Sequence, residues 1–84
     1  MKYVMFDNSF PVIFQEGIGH NEITVKGMKP TSAGFIFISP KVKNIGPTTV
    51  GGYFDIRIFG ESNSLNLKPS DRDLEIFERY FGEY

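Results

Sequence analysis

The chain has 84 residues, of which 40% are hydrophobic and 15% aromatic, and it carries a net charge of −1. This balance excludes a disordered chain, since disordered chains lack the aromatic and branched side chains that build a core. The absence of cysteine excludes a disulfide scaffold and a thiolate zinc site. No segment reaches the roughly 18 consecutive apolar residues of a membrane span, and the apolar start is too short for a signal peptide. We therefore expect one cytoplasmic domain over residues 1–84 that makes no membrane contact.

The charges are unevenly distributed along the chain. Residues 24–68 hold six basic side chains against two acidic ones, whereas residues 69–84 hold two basic side chains against five acidic ones. One interpretation, which we favour, is that oppositely charged segments pack near each other and stabilise the fold slightly. The other interpretation is a basic surface that faces a partner.

The first fourteen residues predict a β-hairpin. Residues 2–6 and 10–14 are rich in strand-forming side chains, and the Asp-Asn-Ser segment between them tolerates the conformations of a tight turn. Pro11 cannot donate a hydrogen bond to a neighbouring strand, so it places the second strand at an edge of the sheet.

The middle of the chain predicts further strands. Residues 15–21 are expected to form a loop or a single helical turn, and residues 22–26 are a short candidate strand. Residues 33–38 give the strongest strand signal, and their unbroken apolar run predicts a central strand buried on both faces. Pro40 is expected to close this strand. Residues 62–67 are predicted to form the last strand.

Residues 53–59 alternate cleanly between two faces of a strand. One face holds Phe54, Ile56 and Ile58, and the other face, which is expected to be the wetter one, holds Tyr53, Asp55, Arg57 and Phe59. A glycine pair, Gly51-Gly52, is expected to separate this strand from a short one at residues 48–50.

The end of the chain predicts a helix over residues 71–81. Ser70 is a suitable N-cap, and Asp73 follows three residues later, as in a capping box. The spacing of three and four residues between apolar side chains indicates one apolar stripe, formed by Leu74, Phe77, Tyr80 and Phe81. We therefore predict an α+β fold, in which strands between residues 2 and 68 form a mostly antiparallel sheet and the C-terminal helix packs on one face.

The sequence contains no catalytic motif. His20 is the only histidine, and one histidine without cysteine is a poor set of metal ligands, so a surface or loop-capping role is favoured. Ser62 and Ser64 lack a positioned base, and local hydrogen bonding explains them better than nucleophilic catalysis. We expect no enzyme activity, no catalytic residue, no metal and no cofactor.

The wetter face of the 53–59 strand is the candidate binding surface. Tyr53, Arg57 and Phe59 are its predicted anchors, because tyrosine, phenylalanine and arginine are enriched in protein interfaces and tyrosine and arginine in their hot spots. The preferred function is therefore a small interaction module that binds an unknown protein partner. An exposed sheet edge also predicts pairing of two copies as a homodimer.

An alternative function is binding of single-stranded nucleic acid or a nucleotide. Phe35, Lys41 and Lys43 are the candidate residues, because exposed aromatic rings with basic neighbours hold single strands without sequence preference. Burial of these aromatic rings in the core is the favoured competing interpretation, and the acidic sequence pI of about 5.7 also speaks against nucleic acid.

Short segments of the chain resemble a group of small uncharacterised proteins encoded by phages and prophages. The similarity lies in residues 29–35, residues 60–65 and the acidic Pro-Ser-Asp opening of the last helix, with a further likeness around Phe6 and Pro11. The resemblance implies a cell-internal accessory protein of phage origin, and the preferred interaction module would then bind a host or phage protein. It implies no activity, so no functional residue is carried over from it.

Overall fold

A computed structural model of the chain describes residues 1–44, 46 and 50–81. Four strands form one antiparallel sheet in the order β2-β1-β3-β4. The elements are β1 Lys2–Phe6, β2 Phe10–Phe14, a 3-10 turn His20–Glu22, β3 Pro30–Asn44, β4 Val50–Phe59 and α1 Asp73–Phe81. The helix packs on one face of the sheet, which confirms the predicted α+β fold class.

The β1–β2 hairpin forms as its sequence predicts. Asp7 and Asn8 have φ angles of 52° and 58°, and the Ser9 amide donates a 3.0 Å hydrogen bond to the Phe6 carbonyl, which closes the turn. β2 lies at one edge of the sheet. This confirms the edge position that Pro11 predicted. On the open side of an edge strand there is no neighbouring strand, so a proline there removes no hydrogen bond between strands.

β3 is much longer than predicted and connects two parts of the sheet. Its first residues pair with β1, up to the Lys2–Phe35 pair, and the residues from Phe35 to Asn44 pair with β4. The part of the β3–β4 hairpin that continues past the pairing with β1, residues 36–44 and 50–59, is called the ribbon below. It extends past the end of β1 and makes the molecule elongated, with dimensions of 49 × 24 × 21 Å.

The prediction that Pro40 ends β3 is wrong. The Ile36 amide donates to the Met1 carbonyl on the β1 side, so even-numbered residues of β3 direct their backbone to that side. Pro40 lies beyond the end of β1 and opposite Phe54 of β4. Its missing N–H would therefore have pointed away from β4, and no bond of the β3–β4 ladder is lost.

The glycine pair does not interrupt β4. Gly51 and Gly52 pair with Lys43 and Val42 inside a continuous strand that begins at Val50. The rest of the strand predicted at residues 48–50 lies outside the described residues. The two glycines are accommodated because the cross-strand backbone bonds, which need no side chain, continue through this part of the hairpin.

Two other predicted strands are absent from the described part of the chain. In the segment predicted at residues 22–26, Glu22 ends the 3-10 turn and the remaining residues form a loop, from which Ile23 and Val25 pack onto the sheet without pairing with a strand. Residues 62–67 form a turn closed by one bridge between Ser62 and Leu67. Leu67 packs inward, but Asn66 has a φ of 54°, which favours a turn over a strand.

The start of α1 confirms the predicted capping box. The Ser70 Oγ accepts a 3.3 Å hydrogen bond from the Arg72 amide, and the Asp73 carboxylate accepts a 3.0 Å bond from the Ser70 amide. The buried stripe differs from the predicted one, because it centres on Ile76 and Phe77. Leu74 and Tyr80 are exposed at its sides.

Two hydrophobic clusters pack on opposite faces of the sheet. The cluster under the helix consists of Tyr3, Met5, Ile36, Ile76 and Phe77, with Ile38, Ile56, Ile58 and Phe81 against it. The cluster on the other face is Val4, Phe6 and Ala33, covered by side chains from β2 and from two loops. These covering segments lie over β1 and the first part of β3, so the ribbon is covered on its helix side alone.

Candidate functional site

The uncovered face of the ribbon carries three large exposed aromatic side chains. Phe37 and Phe59 are each 55% exposed, and Tyr53 is 42% exposed. Phe37 contradicts the prediction that residues 33–38 are buried on both faces. Its backbone lies beyond the end of β1, where neither β2 nor the covering loops reach, so its outward side chain meets solvent. We call this surface, with its basic residues Lys41 and Arg57, the aromatic face.

The strand register brings aromatic and basic side chains of the aromatic face together. Phe37 lies opposite Arg57, and Lys41 lies opposite Tyr53. Directly cross-strand side chains in an antiparallel pair have Cβ atoms about 4.5–5.5 Å apart, close enough to interact. The arrangement therefore alternates rings and cations across the two strands.

Phe35 packs against Phe59, one of the three exposed rings of the aromatic face. Its ring stacks on Phe59 with 5.7 Å between centroids and an interplanar angle of 17°. The Lys2 ammonium lies 6.0 Å from the centroid of the Phe35 ring and also donates a 3.0 Å hydrogen bond to the Ile18 carbonyl. Phe35 is thus a half-buried base for Phe59 rather than a freely exposed ring.

The charge of this surface is mainly positive. Lys41 and Arg57 contribute two cations and Asp55 contributes one carboxylate, whereas Lys2, beside the Phe35 ring, shares a pocket with Glu61. The Arg57 guanidinium lies 3.5 Å from the Asp55 carboxylate, and the arginine side chain remains 73% exposed. Such an exposed ion pair orients the two side chains but contributes little to stability.

The two sets of predicted binding residues lie on the same surface. Tyr53, Arg57 and Phe59, proposed for a protein partner, share the face with Phe35 and Lys41, proposed for nucleic acid. Lys43 lies opposite Gly51 in the backbone ladder, and its side chain is outside the described part of the structure. The sequence analysis placed Phe37 in the core. Phe37 is, however, an odd-numbered residue of β3 like Phe35 and Lys41, and alternate residues of a strand lie on the same face.

His20 has a role in the interior. It is 4% exposed, and its Nε2–H donates a 2.9 Å hydrogen bond to the Gly34 carbonyl. Its ring makes edge-to-face contacts with Phe14 and Phe35, with centroids 5.5 and 5.6 Å away. The expected surface or loop-capping role is therefore corrected to a packed position beneath the sheet face. Among the described residues, no three histidine, aspartate or glutamate side chains are grouped to hold a metal ion.

A second polar cluster is fully enclosed. The Asp73 carboxylate accepts hydrogen bonds from the Tyr3 hydroxyl at 2.6 Å and the Ser32 hydroxyl at 2.8 Å. Burial, followed by the adjacent Asp73 carboxylate, raises the pKa of the Tyr3 hydroxyl well above its usual range. All three side chains are at most 1% exposed, so a substrate cannot reach them. The cluster holds the helix on the sheet, and no sequence motif had linked these three positions.

Another cleft lies between α1 and the β1–β2 turn. It has a volume of about 440 Å³ and its lining includes Asn8, Arg72 and Arg79. The Arg79 guanidinium is held by Glu75 at 2.8 Å, and the Tyr80 hydroxyl reaches the Ser9 carbonyl at 3.4 Å. The Tyr80–Ser9 contact joins the helix to the hairpin, and the cleft does not collect a set of groups suited to catalysis.

The chain matches none of the protein-family models, curated proteins or solved structures with which it was compared. Within the described residues, no helix is both long and apolar enough to cross a membrane. The aromatic face is therefore identified by its geometry alone.

Proposed function

We propose that the chain is a cytoplasmic, non-enzymatic interaction module that binds a protein partner through the aromatic face. This role agrees with the accessory function that the resemblance to phage-encoded proteins implies. The observation that carries the proposal is the exposure of Phe37, Tyr53 and Phe59 on one face of the ribbon. Burial of large aromatic side chains, with arginine beside them, supplies much of the binding energy at protein interfaces.

The charges of the aromatic face define the chemistry of the partner. Two cations, Lys41 and Arg57, lie among the rings with one carboxylate, Asp55. A partner surface with apolar side chains and a surplus of acidic groups would complement both features. Such a surface would bury the rings and leave Lys41 and Arg57 near carboxylates at the rim.

The ribbon also presents these side chains with little conformational freedom. Ten consecutive residue pairs, from Phe35–Phe59 to Asn44–Val50, hold the two strands in one register. Ile38, Ile56 and Ile58 fix the opposite side of the ribbon against the helix cluster. Preorganisation of this kind lowers the entropic cost of binding.

The proposal is tested by retention of cell proteins on immobilised chain. We expect Phe37→Ala and Tyr53→Ala to reduce recovery of the proteins retained by the native chain about tenfold or more. Phe10→Ala is the matched control, because Phe10 is an exposed phenylalanine at the opposite edge of the sheet. Circular dichroism verifies that each variant is folded. Equal recovery by all four chains would contradict the assignment of this face.

Binding of single-stranded nucleic acid is the second candidate function. The position of the Lys2 ammonium over the Phe35 ring and of Lys41 opposite Tyr53 supports it, because single strands use stacking and backbone charge together. Fluorescence anisotropy with a labelled mixed-sequence oligonucleotide separates the two functions. Affinity that falls about tenfold or more between low and physiological salt would support nucleic acid, since phosphate contacts release counterions. Absence of binding at low salt would leave the protein partner.

A further inference from the structure

The outer edge of β4 is an unprotected sheet edge. No further strand lies beyond it among the described residues, and its pairing with β3 contains no bulge or proline within Val50–Phe59. The other edge of the sheet differs, because β2 has five residues and contains Pro11. Natural proteins usually protect long edges with such devices, and an edge without them is a template for pairing.

The backbone of β4 offers its hydrogen-bonding groups to this edge at alternate residues. The Ile36 amide donates to Met1 on the β1 side, so the Ile36–Ile58 pair is one that does not exchange hydrogen bonds between β3 and β4. Ile58 therefore directs its N–H and C=O outward, and Ile56 does the same two residues earlier. Asp55 and Arg57 direct their backbone groups to β3.

We propose that two copies of this chain pair edge to edge through β4, antiparallel and about a two-fold axis at Ile56. The side chains of the strand are self-complementary about this residue. Asp55 would lie opposite Arg57 of the second copy, and Tyr53 opposite Phe59, each pair occurring twice. These pairs fall at the non-hydrogen-bonded positions, where opposing side chains come closest. The Ile56 backbones would exchange two hydrogen bonds at the axis.

Neighbouring registers lack this complementarity. A two-fold axis at Asp55 places the two Asp55 carboxylates opposite each other, and an axis at Arg57 does the same with two guanidinium groups. Like charges directly opposite one another destabilise a strand pair. A register shifted by an odd number of residues would place a residue whose backbone N–H and C=O point to the free edge opposite one whose backbone groups point to β3. The alternation of the backbone and the order of the charges thus select the same register.

The edge is accessible in the folded chain. A cleft of about 290 Å³ lies between it and α1, lined on the strand side by residues 53–56 and on the helix side by Leu74 and Glu78. Leu74 is an exposed leucine beside this edge. Pairing would join the aromatic faces of both copies into one continuous surface. Tyr53 and Phe59 belong to both contacts, whereas Phe37 lies on β3 and takes no part in the β4 pairing, so Phe37→Ala separates partner binding from dimerisation.

The oligomeric state of the intact chain tests the proposal. In sedimentation equilibrium from micromolar to millimolar concentration, the average mass should rise from the monomer mass of 9.5 kDa towards twice that value, with a weak dissociation constant because the contact is small. Asp55→Arg and Arg57→Asp should each raise this constant about tenfold or more, since each places like charges opposite one another. A native chain that remains monomeric at the highest concentration would overturn the proposal.

Charge exchange distinguishes this register from a merely destabilised fold. The double variant D55R/R57D restores opposite charges at both positions and should dimerise like the native chain. An equimolar mixture of the two single variants should form a heterodimer, because one strand then carries two cations and the other two carboxylates. Lys68→Glu is a control that changes charge at an exposed position outside β4. Dimerisation that is insensitive to the single exchanges, or not restored by the double exchange, would overturn the register.

Discussion

The Tyr3 hydroxyl in β1 donates a 2.6 Å hydrogen bond to the Asp73 carboxylate at the start of α1, across 70 residues of sequence. The second carboxylate oxygen accepts a 2.8 Å bond from the Ser32 hydroxyl in β3. Asp73 therefore connects the cap of the helix to two strands of the sheet. Because every member of this network is buried and hydrogen-bonded, it specifies where the helix sits on the sheet.

We expect Asp73→Asn to lower the free energy of unfolding by about 2–4 kcal/mol. A carboxylate accepts at both oxygens, whereas an amide turns an N–H group towards one of the surrounding donors. Urea denaturation measures the loss. Asp71→Asn is the matched control, because Asp71 is an exposed aspartate in the turn just before the helix. Equal losses in the two variants would show that the network contributes little.

Tyr3 predicts a loss of stability at alkaline pH. Burial, followed by the Asp73 carboxylate, raises the pKa of this hydroxyl in the folded chain, whereas in the unfolded chain it deprotonates near pH 10. The stability that the protonated Tyr3 hydroxyl gives the folded chain is therefore fully present below pH about 10. Above that pH, the free energy of unfolding falls by about 1.4 kcal/mol per pH unit. Tyr3→Phe cannot deprotonate at this position.

Urea denaturation of the native chain and of Tyr3→Phe, at neutral pH and about one unit above the usual tyrosine pKa, isolates this contribution. The native chain should lose more stability between the two conditions than the variant does. All other ionisable groups are the same in both chains, so their effects cancel in the comparison. Parallel losses in the two chains would contradict the assignment to Tyr3.

We expect Gly34→Ala to lower the free energy of unfolding by about 1–3 kcal/mol. A Cβ atom at this position would lie 2.8 Å from the Pro69 Cγ and 3.0 Å from the Phe59 carbonyl oxygen, where β3 meets the end of β4. Thermal denaturation measures the effect. Gly17→Ala is the control, since no atom lies within 4 Å of its Cβ position. A loss as small as that of the control would mean that the proline ring moves aside easily.

Local sequence patterns predicted the elements whose causes are local. The capping box at Ser70 and the tight turn at Asp7 each depend on a few neighbouring side chains, and both form as expected. The alternation of residues 53–59 also assigned side chains to the correct faces of β4. These features follow from backbone geometry and short-range hydrogen bonds, which a single sequence displays directly.

The long-range features could not be predicted in the same way. The extent of β3 depends on where β1 ends, and this decides both that Pro40 is tolerated and that Phe37 is exposed. Residues 22–26 have strand-like alternation but meet no free strand to pair with. Exposure and pairing are properties of the assembled sheet, so the candidate site was predicted in its β4 residues and missed at Phe37.

We expect His20→Ala to lower the free energy of unfolding by about 2–4 kcal/mol. The variant leaves the Gly34 carbonyl without its 2.9 Å donor and removes a ring that contacts Phe14 and Phe35. Asn21→Ala is the control, because Asn21 is exposed in the same 3-10 turn. Urea denaturation measures both variants.

We also expect Zn²⁺ to leave the midpoint of urea denaturation of the native chain unchanged, since no ligand set surrounds His20 among the described residues. A metal-dependent rise in the midpoint that disappears in His20→Ala would assign this histidine a binding role instead.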